Sequence, residues 1–200
     1  MSSGYDAVVV GCGIAGAATA YYLAKAGLSV AVFERDRPAS GGTGYSAAIV
    51  RQHYSTPLMA RLAKAAMEIL RDAPTDLGRD AGYRKVGYLF LAPPDALEAA
   101  RRNVAMQQGL GIATRMLEPA ELAERCPWLN ADGVAGIAHE PDGGYADPEM
   151  ATNAFMDAAA GLGATLVART PVRGLLRDGD TITGVLTDAG EVRAGVTVNA

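Results

Sequence analysis

The hydrophobic positions near the N-terminus fall into two short runs that enclose a long segment of small residues. Ala7–Val10 is an uninterrupted apolar run, and Leu28–Phe33 is a second one with a single polar residue. Between them, residues 15–26 are rich in alanine, contain no proline and are followed by Gly27. Short apolar runs are typical of buried strands, and a proline-free segment that ends at glycine is typical of a helix. The pattern predicts a strand–helix–strand unit of a parallel sheet.

The middle of the chain has a different pattern, with shorter elements of both kinds. Apolar residues at positions 58, 62, 66, 69 and 70 recur at helical spacing, which predicts a helix with one buried face. The elements predicted after it are strands at 83–91, 113–117 and 134–138 and helices at 95–108 and 119–125. This succession of short strands and helices differs from the strand–helix alternation of a continued parallel sheet and indicates a second domain.

The last part of the chain begins with a helix and then becomes rich in strands. Asp147 and Pro148 are a typical N-cap and first helical residue, and we expect this helix to end near Gly161. Turn signals at 178–179 and 189–190 separate some of the strands that follow. Those predicted strands are 164–168, 172–176, 181–187, 191–193 and 195–199.

Three glycines lie at the turn between the first predicted strand and the helix, where residues 11–16 read G-C-G-I-A-G. Gly11 permits a tight turn, Gly13 leaves the backbone open to a diphosphate, and Gly16 lets the helix lie close to the sheet. Glu34 ends the second strand, 34 − 11 = 23 positions after the first glycine, where a carboxylate can accept from ribose hydroxyls. A purely structural glycine turn is the alternative, but the order and spacing of strand, helix and acid favour a dinucleotide site. The diphosphate of the dinucleotide would then contact the free N–H groups at the start of the helix. The predicted contacts in the turn are Gly11, Gly13, Ile14, Ala15 and Gly16.

Charge and composition argue against several other classes. The net charge is −4 with acidic and basic residues interleaved, so no basic face indicates nucleic acid. No apolar run reaches the roughly eighteen residues of a membrane span, so no span is predicted, and the N-terminus has no signal-peptide pattern. Cys12 and Cys126 do not form a spaced pair, so neither a metal site nor a redox disulfide is indicated, and a reducing cytoplasm is the expected location. His139 lacks ligand partners, and Glu140 and Asp142 are interpreted as turn and solvent carboxylates, so no metal site is predicted.

The glycine turn alone serves both NAD and FAD. A segment rich in glycine and hydroxyl groups, residues 40–48, follows the second strand and would suit a long, extended cofactor such as FAD. No second strand–turn–helix glycine motif occurs, because Gly161 and Gly163 follow a helix. These observations favour FAD, and an NAD enzyme is the alternative.

Several further motifs occur in order along the chain. They are F-E-R at 33–35, T-G-Y-S-A-A-I-V-R at 43–51, G-Y-L-F at 87–90 and D-G-G-Y-A-D-P at 142–148. Together with the glycine turn they resemble the FAD-dependent D-amino-acid oxidase superfamily, in particular its sarcosine oxidase and dimethylglycine dehydrogenase branch. The resemblance covers nearly the whole chain. It implies FAD and oxidation of the C–N bond of a small amino acid or N-methylated amino acid by hydride transfer to flavin.

The fold class implied is α/β, with a Rossmann-like FAD-binding domain built on a βαβ unit and a parallel sheet. This domain is interleaved with part of an α+β substrate domain. We expect residues 1–78 to be the first segment of the FAD-binding domain, 79–145 the partial substrate domain, and 146–200 a return to the FAD-binding domain.

The resemblance also assigns roles to residues outside the glycine turn. Arg51 matches an arginine that binds the substrate carboxylate in sarcosine-oxidising relatives, a task that suits a planar guanidinium, although a surface arginine is the alternative. His53 and Tyr54 adjoin it as substrate-binding candidates, and a packed histidine is the commoner role of such a residue. The further cofactor contacts implied are Glu34 at the ribose, Arg35 near the adenosine, Ser46, Ala47, Ala48 and Ile49 along the pyrophosphate and flavin, and the backbone of Val172 at the adenine. No catalytic residue is assigned.

The same resemblance implies that the chain is the amino-terminal portion of a longer protein. The expected partners are a small amine or amino acid as substrate, oxygen or an electron carrier as acceptor, and further subunits of a larger oxidase. Two alternatives stay open. One is an FAD-dependent hydroxy-acid or glycerol-phosphate dehydrogenase, and the other is a truncated FAD-binding fragment without activity of its own. Tyr45 and Ala48 depart from the family pattern and leave the amine open.

Overall fold

The two N-terminal apolar runs form parallel strands in a computed structural model that describes residues 4–200. β1 (Tyr5–Val10) and β2 (Val30–Phe33) are connected by α1 (Ile14–Lys25). They pair in parallel, with Val8 opposite Ala31. Both strands are buried on both faces, which explains why neither alternates polar and apolar residues. The predicted strand–helix–strand unit is confirmed.

A six-stranded sheet extends on both sides of β1. The strands that complete it are β9 (Thr165–Val167), β10 (Val172–Asp178), β11 (Thr181–Thr187) and β12 (Gly190–Asn199). Their order is β10-β11-β12-β1-β2-β9. β12 pairs antiparallel with β11 through its first half and parallel with β1 through its second half. The sequence predicted two separate strands here, and the structure has one because the same strand belongs to both kinds of ladder.

A second helix, α5 (Pro148–Gly161), packs against α1. It begins as predicted at Asp147, whose Oδ1 accepts from the backbone N–H of Met150 at 2.8 Å. Tyr21 and Phe155 meet edge to face with ring centroids 5.9 Å apart. The two helices otherwise present mainly alanines to the interior, and these small side chains allow the helix axes to approach closely.

The middle of the chain forms two small antiparallel sheets and three helices. The helices are α2 (Pro57–Asp76), α3 (Leu97–Gly109), after a 3₁₀ turn at Pro94–Ala96, and α4 (Pro119–Arg125). One sheet, in the order β3-β8-β4, contains β3 (Ile49–Val50), β4 (Arg84–Lys85) and β8 (Gly144–Tyr145). The other, in the order β5-β7-β6, contains β5 (Tyr88–Ala92), β6 (Arg115–Leu117) and β7 (Gly136–Glu140). Leu117, Leu122 and Ile137 form a core beneath the second sheet.

Two expectations for this region are wrong in detail. The strand predicted at 83–91 is divided into β4 and β5, with Gly87 at a φ of +83° between them. The apolar stripe of α2 is not buried along its length, because Leu58 is 68% exposed and Leu62 is 56% exposed. The buried residues of α2 are Ala60, Met67 and Ala73. Helical spacing identifies an apolar face, but which face is covered depends on the neighbouring elements.

The chain divides into two compact units. Unit 1 contains the described residues up to Ala48, together with Asp72–Gly82 and Asp147–Ala200. Unit 2 contains Ile49–Arg71 and Tyr83–Ala146. Unit 1 therefore holds the six-stranded sheet, and unit 2 holds the two small sheets. Residues 49–71, which the sequence analysis placed with the first segment, lie in unit 2; the predicted domain boundaries stay a prediction. Among residues 4–200, no helix combines the length and apolar character that a membrane crossing requires.

Candidate functional site

Unit 1 contains a cavity of about 530 Å³ at the carboxyl ends of β1, β2 and β12. The carboxyl edge of a parallel sheet is where ligands bind in folds of this kind. Residues from the glycine turn, the end of β2, the loop after it and the start of β10 line the cavity. They are Val10, Gly11, Gly13, Ile14, Ala15, Phe33, Glu34, Arg35, Ser40, Gly41, Gly42, Thr43, Pro171, Val172, Asn199 and Ala200.

Two of the three glycines of the turn, Gly11 and Gly16, occupy positions where backbone atoms exclude a side chain. Gly11 has a φ of +100°, and a Cβ there would lie 2.5 Å from the carbonyl oxygen of Ala200. A Cβ on Gly16 would lie 2.1 Å from the carbonyl oxygen of Gly11, so the close contact of helix and strand depends on glycine. A Cβ on Gly13 would lie 2.9 Å from the hydroxyl oxygen of Thr43. The turn brings the start of α1 into backbone contact with β1 and leaves its amides facing the cavity.

The first turn of α1 has free donors. The amide of Ile14 donates to the Thr43 hydroxyl at 3.1 Å, and that hydroxyl keeps its own proton to donate. Within residues 4–200, no hydrogen bond occupies the amides of Gly13, Ala15 and Gly16. These N–H groups lie at the positive end of the helix dipole, an arrangement that binds anions such as a diphosphate.

Glu34 is 7% exposed and lies directly against the glycine turn. Its Oε2 accepts from the amide of Cys12 at 2.7 Å, and its Oε1 accepts from the amide of Asp36 at 2.9 Å. Each carboxylate oxygen keeps a second lone pair, which can accept from a sugar hydroxyl in the cavity. Burial and the charge of Glu34 raise the pKa of the Cys12 thiol to about 12, so Cys12 stays a neutral, packed side chain.

Val172 is the first residue of β10, and the loop that precedes this strand places it in the cavity lining. The amide of Thr170 donates to the carbonyl of Glu34 at 2.8 Å, and the amide of Arg169 donates to the carbonyl of Asp36 at 3.0 Å. These bonds hold the loop at the end of β2, which places Val172 beside Glu34 and Arg35 in the cavity lining.

The structure thus brings seven sequence-predicted cofactor residues into one cavity, with Gly16 packed behind them. The seven are Gly11, Gly13, Ile14, Ala15, Glu34, Arg35 and Val172. Sequence reasoning missed Asn199 and Ala200, which reach the cavity because β12 lies beside β1 in parallel. It pointed to residues 40–48 as a cofactor-contacting segment, and the part of that segment in the cavity lining is Ser40–Thr43.

The other cofactor residues predicted in that loop do not line this cavity. Ser46 and Ala47 are exposed, and Ala48 has a φ of +44° with its amide donating to Ser46 Oγ at 3.2 Å. Ile49 lies in unit 2, where it pairs with Tyr145 in the β3–β8 ladder. The roles of these four residues stay predictions.

In unit 2, Arg51 is held by two aromatic side chains. Its guanidinium carbon lies 5.1 Å from the ring centroid of Tyr54 and 5.5 Å from that of Tyr88, within cation–π range. A guanidinium nitrogen donates to the Tyr88 hydroxyl at 2.8 Å. Partial burial acts to lower the pKa of Arg51, but its contacts with Tyr88 and Tyr54 outweigh burial and raise it. The side chain is a fixed cation with further N–H groups for a carboxylate.

His53 lies in the interior of unit 2. Its ring is 6% exposed and stacks on Phe90, with ring centroids 4.7 Å apart. Burial lowers the pKa of His53, which favours the neutral imidazole. Its role as a substrate-binding residue stays a prediction. Over the described residues, no group of three His, Cys, Asp or Glu side chains is arranged to hold a metal ion.

Comparison with known proteins assigns the family. A profile described as DAO, FAD dependent oxidoreductase, matches residues 6–200. The chain belongs to this family of FAD-dependent oxidoreductases. The resemblance stated from the sequence motifs, the fold class and the choice of FAD over NAD are thereby confirmed.

Individual known proteins are similar to this chain over almost all of its length. The sarcosine oxidase beta subunit of Arthrobacter sp is 33% identical over 96% of this chain and 49% of its own length. Human mitochondrial sarcosine dehydrogenase is 30% identical over 97% of this chain and 22% of its own length. The crystal structure of L-proline dehydrogenase from P. horikoshii superposes with a TM-score of 0.90 at 32% identity, over all of this chain and 53% of that one. The chain spans about half the length, or less, of these relatives.

The cavity of this family member fits the adenosine diphosphate part of FAD. Unoccupied amides at the start of α1 suit the pyrophosphate. The carboxylate of Glu34 is fixed by two amides yet keeps lone pairs for ribose hydroxyls. Val172 lines the same cavity as Glu34.

Proposed function

We propose that this chain carries cofactor- and substrate-binding residues of an enzyme that oxidises the C–N bond of a small amino acid or N-methylated amino acid. The observation that carries the proposal is Arg51, a guanidinium fixed by Tyr54 and Tyr88 in a chain of an FAD-dependent family. Similar proteins are named for sarcosine, L-proline, glycine and 4-methylaminobutanoate, all of which combine an amine with a carboxylate. A fixed guanidinium is suited to bind that carboxylate through two parallel hydrogen bonds.

We assign the cofactor contacts of unit 1 as follows. The free amides at residues 13, 15 and 16 bind the pyrophosphate, and Glu34 accepts from the ribose hydroxyls. The backbone of Val172 meets the adenine, with Arg35 near the adenosine. The assigned carboxylate also disfavours a phosphorylated ribose, because a second negative charge would face Glu34.

In the proposed reaction, the protein would orient the amine, and FAD, when bound by the residues of the unit 1 cavity, would supply the acceptor for the hydride. Arg51 holds the substrate carboxylate, and the amine nitrogen must be unprotonated for its lone pair to form the C=N bond as hydride leaves the adjacent carbon. Water then adds to the C=N carbon and releases a carbonyl compound and a smaller amine. Two electrons pass on to oxygen or an electron carrier. His53, two positions after Arg51, is buried with its pKa lowered and its ring stacked on Phe90, so it adds no second positive charge beside Arg51.

The test is flavin reduction by a substrate panel without oxygen. The protein is expressed from its complete gene, purified with FAD, and mixed with N-methylated amino acids, glycine, proline, lactate and glycerol 3-phosphate. We expect the amino acids to remove the absorption of oxidised flavin. Reduction by lactate or glycerol 3-phosphate alone would assign the protein to a hydroxy-substrate dehydrogenase instead.

We further propose that the protein is a subunit of a larger cytoplasmic oxidase. Two of the similar proteins are named beta subunits of sarcosine oxidase. Affinity purification of the natively expressed protein, followed by native mass spectrometry, is expected to show additional subunits, and cell fractionation checks its location. A single-chain mass would contradict the subunit proposal.

A further inference from the structure

Tyr88 and Glu140 are direct cross-strand neighbours in the β5–β7 ladder of unit 2. Residues opposite each other in a sheet project to the same face. The Tyr88 hydroxyl accepts from the Arg51 guanidinium at 2.8 Å. Glu140 Oε1 accepts from the backbone amide of Gln52 at 2.5 Å. One pair on one sheet therefore holds both the side chain of Arg51 and the backbone immediately after it.

Glu140 is an unusual residue for a strand in this unit. The sequence pattern predicts a turn or solvent carboxylate at this position, and that expectation is wrong, because Glu140 is 1% exposed. Its Oε2 is buried with no hydrogen-bond partner among the described residues. Burial raises the pKa of Glu140, whereas the amides of Gln52 and His53 and the charge of Arg51 act to lower it. A buried carboxylate with one unpaired oxygen lowers the folding stability of the protein. A residue that is kept at such a cost is expected to have a functional role.

Arg51 is the residue that this arrangement constrains. An arginine side chain has many rotamers, and restricting it to one of them costs conformational entropy. If the side chain is already fixed before a ligand arrives, this entropy cost does not weaken binding. The segment that carries Arg51 follows β3, whose ladder contains only two residues of this strand. A ladder that short leaves the segment dependent on other anchors, and Glu140 supplies one through Gln52.

We propose that Tyr88 and Glu140 are positioning residues that fix Arg51 in the orientation that binds the substrate carboxylate. The inference rests on the proposed function of Arg51. Tyr88 directs the guanidinium and Glu140 anchors the adjoining backbone. Neither needs to touch the substrate. Both act on discrimination for a carboxylate rather than on the oxidation step.

The test measures carboxylate selectivity in variants of each residue. Selectivity is the ratio of kcat/KM for an N-methylated amino acid to kcat/KM for a matched N-methylamine that lacks the carboxylate. Tyr88→Phe removes the acceptor and keeps the ring. Glu140→Gln keeps an oxygen for Gln52 but removes the charge, and Glu140→Met removes both. Tyr22→Phe and Glu124→Gln are matched controls, because both residues are exposed on helices.

We expect selectivity to fall about tenfold in Tyr88→Phe and Glu140→Met and less in Glu140→Gln, through a higher KM for the amino acid at nearly unchanged kcat. The amide of Gln52 should exchange its hydrogen faster in Glu140→Met than in the parent, and at the parent rate in Tyr88→Phe. Should Glu140→Met fail to fold, Tyr88→Phe and Glu140→Gln still decide the result. The controls keep the selectivity of the parent protein.

Three other results would overturn the inference, each in a different way. Equal losses for both substrates would show a merely structural role of Tyr88 and Glu140. If Arg51→Lys loses selectivity while the Tyr88 and Glu140 variants keep it, the positioning role is wrong and the proposed function stands. If no amino acid reduces the flavin, the proposed function is wrong and the positioning role falls with it.

Discussion

The two units of this protein build their candidate sites from different parts of the polypeptide. In unit 1 the contiguous turn 11–16 contributes four residues to the cavity lining, and the backbone amides at the start of α1 are unoccupied. In unit 2 the groups around Arg51 are side chains from separate elements, among them Tyr54 and Tyr88. A backbone site depends on glycine and on the spacing of a motif. A side-chain site depends on the register of strands that are distant in sequence.

The largest expected effect follows from the backbone site. Replacing Gly16 by valine places a Cβ 2.1 Å from the carbonyl oxygen of Gly11, so α1 must move away from β1. We expect loss of copurifying FAD and a Tm many degrees lower, since overpacking at a rigid backbone contact is severely destabilising. Absorbance of bound flavin and calorimetry measure both. Gly161→Ala is the control, because no atom lies within 4 Å of a Cβ there; equal behaviour of the two variants would contradict the proposed close contact.

The next effect concerns Glu34, the carboxylate that lies against the glycine turn of the backbone site. Glu34→Ala removes the acceptor for the buried amide of Cys12 and the lone pairs assigned to the ribose. Loss of hydrogen bonds to a charged group costs about 1.5–3 kcal/mol, which corresponds to roughly 10- to 100-fold weaker FAD binding. Titration of the apoprotein with FAD, followed by flavin fluorescence, gives the dissociation constant. Asp180→Asn, in the exposed turn between β10 and β11, is expected to leave it unchanged. If the dissociation constant for FAD is unaltered in Glu34→Ala, Glu34 does not contribute to FAD binding.

The third prediction addresses the side-chain site. Arg51→Lys keeps the charge but loses the planar fork and its bond geometry to Tyr88. We expect KM for the amino acid to rise about tenfold or more, while the dissociation constant for FAD stays the same. Steady-state kinetics and FAD titration separate the two quantities. Arg102→Lys on the exposed face of α3 is the control. A KM equal to that of the control would mean that Arg51 does not bind substrate.

The smallest effect is a pH dependence of stability from His53. Burial lowers its pKa below the unfolded value of 6.5, so the unfolded state binds more protons as the pH falls. The stabilisation from neutral, buried His53 is therefore present above pH 6.5 and is lost as the pH falls through the lower folded pKa. His53→Phe keeps a ring to stack on Phe90 and cannot titrate. When the pH is lowered from 7 to 5.5, we expect the Tm of the parent protein to decrease more than the Tm of His53→Phe. The difference between the two decreases should be up to about a few degrees. Parallel curves would show that His53 is equally protonated in both states.

The sequence predicted unit 1 more completely than unit 2 for a physical reason. The start of α1 and the N-cap Asp147 depend on neighbours a few residues away, and the acid at the end of β2 belongs to one contiguous βαβ motif. All three lie where the pattern indicated. The helix at 119–125 also has its predicted bounds. The burial of α2 could not be predicted, because the apolar spacing of Leu58 and Leu62 carries no information about what packs against them.

From its own pattern, the sequence determined the βαβ unit, the glycine turn and the identity of the acid that lies against it, because one contiguous stretch, residues 5–34, carries the apolar runs, the helix signals and the glycine-to-acid spacing. Tertiary structure alone decided that Asn199 and Ala200 reach the same cavity and that Tyr88 and Glu140 hold the segment of Arg51. These contacts join residues tens of positions apart. They depend on strand register and core packing, whose energies are set by the whole fold and leave no local pattern in the sequence.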